Sequence, residues 1–113
     1  MTVLELKDAL SLQVLAGEQG LANRVDGCYI GDLLSWVMGR AQEGNLWITV
    51  MGNVNAIAVA KLAETSCVLL CEDAHLDADA KAQADANGVP VLGSGQNAYA
   101  LALAVAKLVG EPG

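Results

Sequence analysis

Three short runs of β-forming residues recur at a nearly constant interval, and each is followed by residues that start helices. They are Leu46-Trp47-Ile48-Thr49-Val50, Cys67-Val68-Leu69-Leu70-Cys71 and Val89-Pro90-Val91-Leu92, and their starts lie 21 and then 22 residues apart. Apolar runs this short and this continuous read as strands covered on both faces. The interval holds one strand, one helix and short connections, which suits compact right-handed crossovers feeding a parallel sheet. The expected fold is therefore an α/β layered domain, with a small, mainly parallel sheet flanked by helices. At 113 residues the chain reads as one domain, residues 1–113, with enough length to build a core without staples.

Local signals fill in the rest. Thr2 and Glu5 form a capping box, and Val3, Leu6 and Leu10 follow at helical spacing, so a short helix opens the chain. Gln13–Ala16 and Arg24–Ile30 read as two strands joined by a turn, punctuated by Gly17, Gly20 and Gly27. Asp32 is placed to cap a helix through Met38 that Gly39 ends, with a turn at Glu43-Gly44-Asn45. Asn53 is the expected N-cap of a helix reaching Glu64, and Asp77 that of a helix stopped by Asn87-Gly88. Pro90 cannot donate to a ladder and belongs at a strand start or edge. The last helix runs from Asn97 to Val109, followed by a frayed tail at residues 110–113.

Hydrophobic residues make up 54% of the chain and charged residues 17%, which excludes disorder. Six basic and thirteen acidic residues give a net charge of −7, a field that repels phosphate backbones and anionic headgroups. Nucleic acid and membrane surfaces are thus excluded as partners. The longest charge-free run, Leu46–Ala60, contains a glycine and two asparagines and is too short to span a bilayer. Met1–Asp8 lacks the features of a secretory signal, so a cytoplasmic location is expected, with Cys28, Cys67 and Cys71 as reduced thiols.

No residue cluster names a reaction. Cys67, Cys71 and His75, with Cys28, resemble a metal set at first sight, but a strand would place Cys67 and Cys71 about 13 Å apart. That is beyond one zinc with bonds of about 2.3 Å to each thiolate, so no metal or cofactor is expected. Ser94 stands between glycines without a nucleophile elbow, no G-K-[ST] phosphate loop occurs, and Glu72-Asp73 and Asp77-Asp79 fit a loop and a helix start. The chain reads as non-catalytic.

Two features point to binding instead. Gly52, Asn53 and Asn55 after one strand, and Gly93, Ser94, Gly95 and Asn97 after another, would place glycines and short polar side chains beside helix N-termini. Such loops suit a nucleotide or another phosphate-containing anion, and they equally suit ordinary turns and caps. Separately, Leu33, Leu34, Trp36, Val37 and Met38 cover more than one face of a short helix, more apolar surface than a single sheet absorbs. Residues 98–106 are apolar throughout as well. Aromatic residues and methionine are enriched at interfaces, so the Trp36 helix is expected to bind a second copy of the chain.

The stretch from Val25 to Ala60 resembles a known family, the DRTGG domain. Asp26-Gly27-Cys28-Tyr29-Ile30-Gly31-Asp32-Leu33-Leu34-Ser35-Trp36-Val37-Met38 is similar to its G-G-Y-V-x-D-L-L-S-x-V-M pattern. Trp47-Ile48-Thr49 matches its W-I-T strand, and Asn55-Ala56-Ile57-Ala58-Val59-Ala60 its N-x-x-A-V-A. Gly88-Val89-Pro90-Val91-Leu92 and Ala98-Tyr99 resemble later family positions, while Asn23-Arg24-Val25-Asp26-Gly27 echoes the eponymous string without reproducing it. The resemblance implies dimerisation and regulation. Such domains accompany CBS domains in regulated pyrophosphatases and phosphotransacetylases, resemble the N-terminal domain of HPr kinase, and occur alone. The combined expectation is a regulatory or assembly module acting as a homodimer and offering a surface to another protein. The alternative is a small-ligand sensor for a nucleotide or phosphate-containing anion.

Overall fold

A computed structural model of the chain describes residues 1–110; Glu111, Pro112 and Gly113, part of the expected tail, lie outside the described residues. Five strands form one sheet: β1 (Gln13–Ala16), β2 (Cys28–Ile30), β3 (Leu46–Thr49), β4 (Cys67–Leu70) and β5 (Val91–Gly93). Their order is β1-β5-β4-β3-β2, with β2 to β5 parallel and β1 antiparallel to β5. The small, mainly parallel sheet of an α/β domain is thus present.

Every residue of β3, β4 and β5 is buried. Their side chains alternate between two cores, as the two-residue strand period requires. Leu46, Ile48, Cys67, Leu69 and Leu92 pack under α1 (Val3–Ala9) and α5 (Ala98–Val109). Trp47, Val68, Leu70 and Val91 pack under α2 (Leu34–Arg40), α3 (Val54–Leu62) and α4 (Ala78–Asn87). The latter three helices connect successive neighbouring strands, so crossovers of one hand put them on one face. At the chain's end α5 covers the opposite face with α1. Ala56 and Ala60 of α3 and Ala80 and Ala84 of α4 are buried, and small residues there let both helices approach the sheet and each other.

Several expected caps are present. Thr2 and Glu5 make the capping box, and the side-chain oxygens of Asn53 and Asn97 accept from the N–H groups of Ala56 and Ala100, both at 2.9 Å. Gly88 ends α4 at φ +66, the left-handed conformation expected there. Pro90 immediately precedes β5, and its carbonyl accepts from Val68 at 2.9 Å.

Other local expectations are corrected. The two early strands are not paired through a turn; β1 and β2 lie on opposite edges of the sheet. Of Arg24–Ile30 only Cys28–Ile30 is strand, because Val25 and Asp26 donate to Met1 and Gly44 and Gly27 turns at φ +84. Asp32 does not cap α2. Its carboxylate accepts from the Thr49 hydroxyl at 2.7 Å and the Val50 N–H at 3.0 Å, tying the β2–α2 connection to the end of β3. Gly39 lies within α2, which continues to Arg40. Helix α3 stops at Leu62, short of the expected Glu64, which stands at φ +57. Asp77 occupies the N-cap position of α4 without a side-chain capping bond.

A methyl group added at Gly39 meets nothing within 4 Å, and the position is helical and exposed. Gly39→Ala is therefore expected to stabilise the fold by about 0.5–1 kcal/mol, through helix propensity and a less flexible unfolded chain. Urea unfolding with an unchanged m-value checks this; a loss of stability would contradict the placement.

Candidate functional site

The two polar loops nominated by the sequence both sit at the carboxyl end of the parallel strands, where ligands of open α/β sheets gather. The strand order, however, sets the β4–α4 connection between them. That connection binds each side. Glu72 and Asp73 donate their N–H groups to the carbonyls of Gln96 and Ser94 at 2.8 and 3.0 Å, and Asp77 donates to Gly52 at 2.8 Å. The backbone approach at Gly52 is close enough that a Cβ there would fall on the His75 carbonyl. At Gly95 a Cβ would lie 3.1 Å from the Asp73 carboxylate.

Three of the predicted ligand-binding side chains already have partners. Asn53 and Asn97 accept from their own helices, and the Ser94 hydroxyl accepts from the Gln96 N–H at 3.1 Å. Gly93 is buried in β5 against Leu15, whereas Asn55 is exposed on the first turn of α3. The connection between the loops carries Glu72, Asp73 and Asp77, and Asp32 lies at the end of β2 nearby in the sheet. Glu72 and Asp73 both have positive φ, +55 and +56, a costly pair that the hydrogen bonds to β5's loop hold in place. A bare anion at this edge would meet carboxylates. Sequence reading misses this because the acidic loop enters the site only through the strand order.

The second predicted site divides by burial. Leu33 is 57% and Trp36 52% exposed, Met38 is exposed and Leu34 half-buried. Val37, expected at the interface, is fully buried in the core beneath α2 and is unavailable to a partner. It shares a helix face with the half-buried Leu34, three residues earlier, and both pack in the core that contains Trp47. The guanidinium of Arg40 stacks on Trp36, 3.7 Å from the ring centroid, which fixes the indole against the helix surface. Ile30, at the end of edge strand β2, is 50% exposed.

A third feature was not anticipated. An open groove of about 920 Å³ lies at the amino end of the sheet, lined by Asn23–Asp26, Lys61, Glu64 and Gly88–Pro90 among others. The segment that echoes the DRTGG string thus forms one wall. Its walls come from turns distant in sequence, so no local signal announces it.

The cysteines do not form a reactive centre. Burial pushes the Cys67 thiol up to about 12 and that of Cys28 up to about 11, and Cys71 is also raised, chiefly by burial. Among the described residues no three of His, Cys, Asp and Glu are grouped to hold a metal ion. His75 is exposed, with its Nε2 3.8 Å from an Asp77 oxygen.

These features define a class first: an α/β domain of successive βα units with polar strand-end loops, a broad groove and one apolar helix face. A family model for the DRTGG domain matches residues 5–108, and the chain belongs to that family. No curated protein matches its sequence. Among solved structures it is similar to the CBS and DRTGG domains of the regulatory region of Clostridium perfringens pyrophosphatase, complexed with the activator diadenosine tetraphosphate. The TM-score is 0.71 at 12% identity, over 97% of this chain and 46% of that one. The chain thus spans about half the length of that neighbour, and the likeness establishes the fold. No helix among the described residues is long and apolar enough to cross a membrane.

Thiolate, not thiol, attacks disulfide reagents. With its titration raised to about 11, Cys28 is expected to react at pH 8 about 100-fold more slowly than a free cysteine, recovering as pH approaches that value. Cys67 is expected to react only on unfolding. Stopped-flow thiol titration checks both, and rapid labelling of all three thiols at pH 8 would contradict the burial described.

Proposed function

We propose that this chain is a non-catalytic regulatory or assembly module that works as a homodimer through the exposed face of α2. The observation that carries the proposal is Trp36, more than half exposed on a seven-residue helix, with Leu33 more than half exposed at its N-cap. Apolar side chains of this size and exposure are what a partner surface desolvates, and interface energy concentrates on such aromatics. Membership of a family associated with regulation supports the reading, as does the fold shared with a pyrophosphatase regulatory region. The cytoplasm, where thiols stay reduced, is the location this reading assigns.

A second reading, a small-ligand sensor, draws on the activator bound to that neighbouring structure and on the loops at Gly52–Asn55 and Gly93–Asn97. A nucleotide there would sit beside Asp73 and Glu72, so a divalent cation is required to bridge like charges. Isothermal titration with adenine and guanine nucleotides is expected to give heat only with magnesium present. Silence across the panel with magnesium would remove this reading.

Light scattering coupled to size exclusion tests the dimer. The unmodified chain is expected at twice the monomer mass at micromolar concentration. Trp36→Ala is expected to weaken association by at least about 30-fold, corresponding to about 2 kcal/mol or more for an interface aromatic. Its unfolding midpoint as a monomer should change little, because Val37 and not Trp36 fills the core under α2. Added salt should strengthen the dimer by screening the −7 charge on each copy. A monomer at every concentration would overturn the proposal.

A further inference from the structure

Resting on the dimer reading, we infer that the free edge of β2 is the centre of that dimer. Two copies pair their β2 strands antiparallel about a two-fold axis at Tyr29, and two five-stranded sheets become one continuous sheet. The sheet has two edges, and they differ. Strand β1 is interrupted by a register shift between Val14 and Ala16, an irregularity that blunts an edge. Strand β2 pairs with β3 in unbroken register, and Cys28-Tyr29-Ile30 contains no charge and no proline. An edge of that kind is a template for pairing.

The backbone sets the register. Leu46 donates to the Gly27 carbonyl at 3.1 Å and Gly31 donates to the Ile48 carbonyl at 3.3 Å, so Gly27 and Gly31 turn these groups toward β3. By the strand alternation, the N–H and C=O of Cys28 and Ile30 point away from the sheet. A two-fold axis at Tyr29 sets Cys28 against Ile30 of the partner subunit, and the converse. Each of these two pairs exchanges both of its hydrogen bonds, while the two tyrosines face each other in the non-hydrogen-bonded position. The pattern is self-complementary, as an isologous contact must be.

Both helix layers beside this edge expose apolar side chains. On one face Trp36 and Met38 stand out from α2 and Leu33 from its N-cap. On the other, Ile30 shares the face of Cys28, and α5, which packs on β2 and β3, exposes Tyr99 (74%) and Leu103. The exposed surface of these six residues amounts to on the order of 700 Å² per protomer, close to the ~800 Å² per partner of a standard interface. They also explain how a chain of net charge −7 can meet its own copy, since none of the six is a carboxylate. Edge pairing accounts for Ile30 and Tyr99, which a contact through α2 alone leaves uncovered.

Amide hydrogen exchange on the unmodified chain, read by NMR at concentrations above and below dimer dissociation, tests the register. The Cys28 and Ile30 N–H groups are expected to exchange at least ~10-fold more slowly in the dimer, while Tyr29, already facing β3, is unchanged. A second measurement uses Tyr29→Cys in a Cys28→Ser background. Facing residues in a non-hydrogen-bonded pair lie about 4.5 Å apart, within disulfide reach, so oxidation should give a covalent dimer. A dimer whose Cys28 and Ile30 amides exchange freely, or which does not cross-link, overturns the edge pairing while leaving the α2 dimer standing. A chain that never dimerises overturns both.

Discussion

The complete burial of β3, β4 and β5 on both faces governs the rest of the molecule. Each of these strands turns consecutive side chains into two different cores, so neither face tolerates a polar run, and the chain must supply two helical layers. Three crossover helices provide one layer. The other falls to the first and last helices, which flank the sequence of βα units. Among the described residues, the buried polar side chains are Thr49 and Ser66. Thr49 is used structurally: its hydroxyl donates to Asp32 and accepts from the Met51 N–H at 3.2 Å, closing the carboxyl end of β3. Among the described residues no buried side-chain nitrogen or oxygen lacks a hydrogen-bond partner.

From that constraint follows where function can reside. With the central strands covered, the sheet meets its surroundings at its two ends and its two edges. The carboxyl end holds polar loops, but they are braced by an acidic connection and their caps are engaged within the fold. The amino end holds a groove in which Arg24 and Lys61 stand among Asp26, Glu43 and Glu64. Edge strand β1 is tied down, since the Asp85 carboxylate of α4 accepts from the Gly17 N–H at 2.8 Å. That bond and Lys81 hold the Asp85 carboxyl below its ordinary range. Among the described residues, edge strand β2 carries no comparable brace on its outer side, and the apolar groups of α2 and α5 collect beside it. The reading of the chain as an assembling module rests on this asymmetry.

Much of the fold was legible because its signals are local. The buried strands announced themselves by continuous β-forming residues, and Thr2, Asn53, Asn97 and Gly88 marked helix ends through chemistry confined to a few neighbouring residues. What was not legible depended on partners distant in sequence. An aspartate before a helix looks the same whether it caps that helix or, as Asp32 does, reaches across to Thr49 on another strand. Gly17, Gly20 and Gly27 suggested a turn between two strands, but only the assembled sheet shows β1 and β2 at opposite edges. Val37 was grouped with Trp36 by composition, and its burial depends on which face of α2 meets Trp47. The candidate loops were placed at the correct end of the sheet, while the acidic connection separating them follows from strand order, which no single run of residues encodes.

The central claim is that the apolar surface around α2 and β2 belongs between two copies of this chain. Sedimentation equilibrium of the unmodified protein, over concentrations from nanomolar to tens of micromolar, tests it most directly. The account predicts a reversible transition from the chain mass to twice that mass, with no larger species, because an isologous contact closes on itself. A single species at the chain mass throughout, or open-ended growth with concentration, would contradict it.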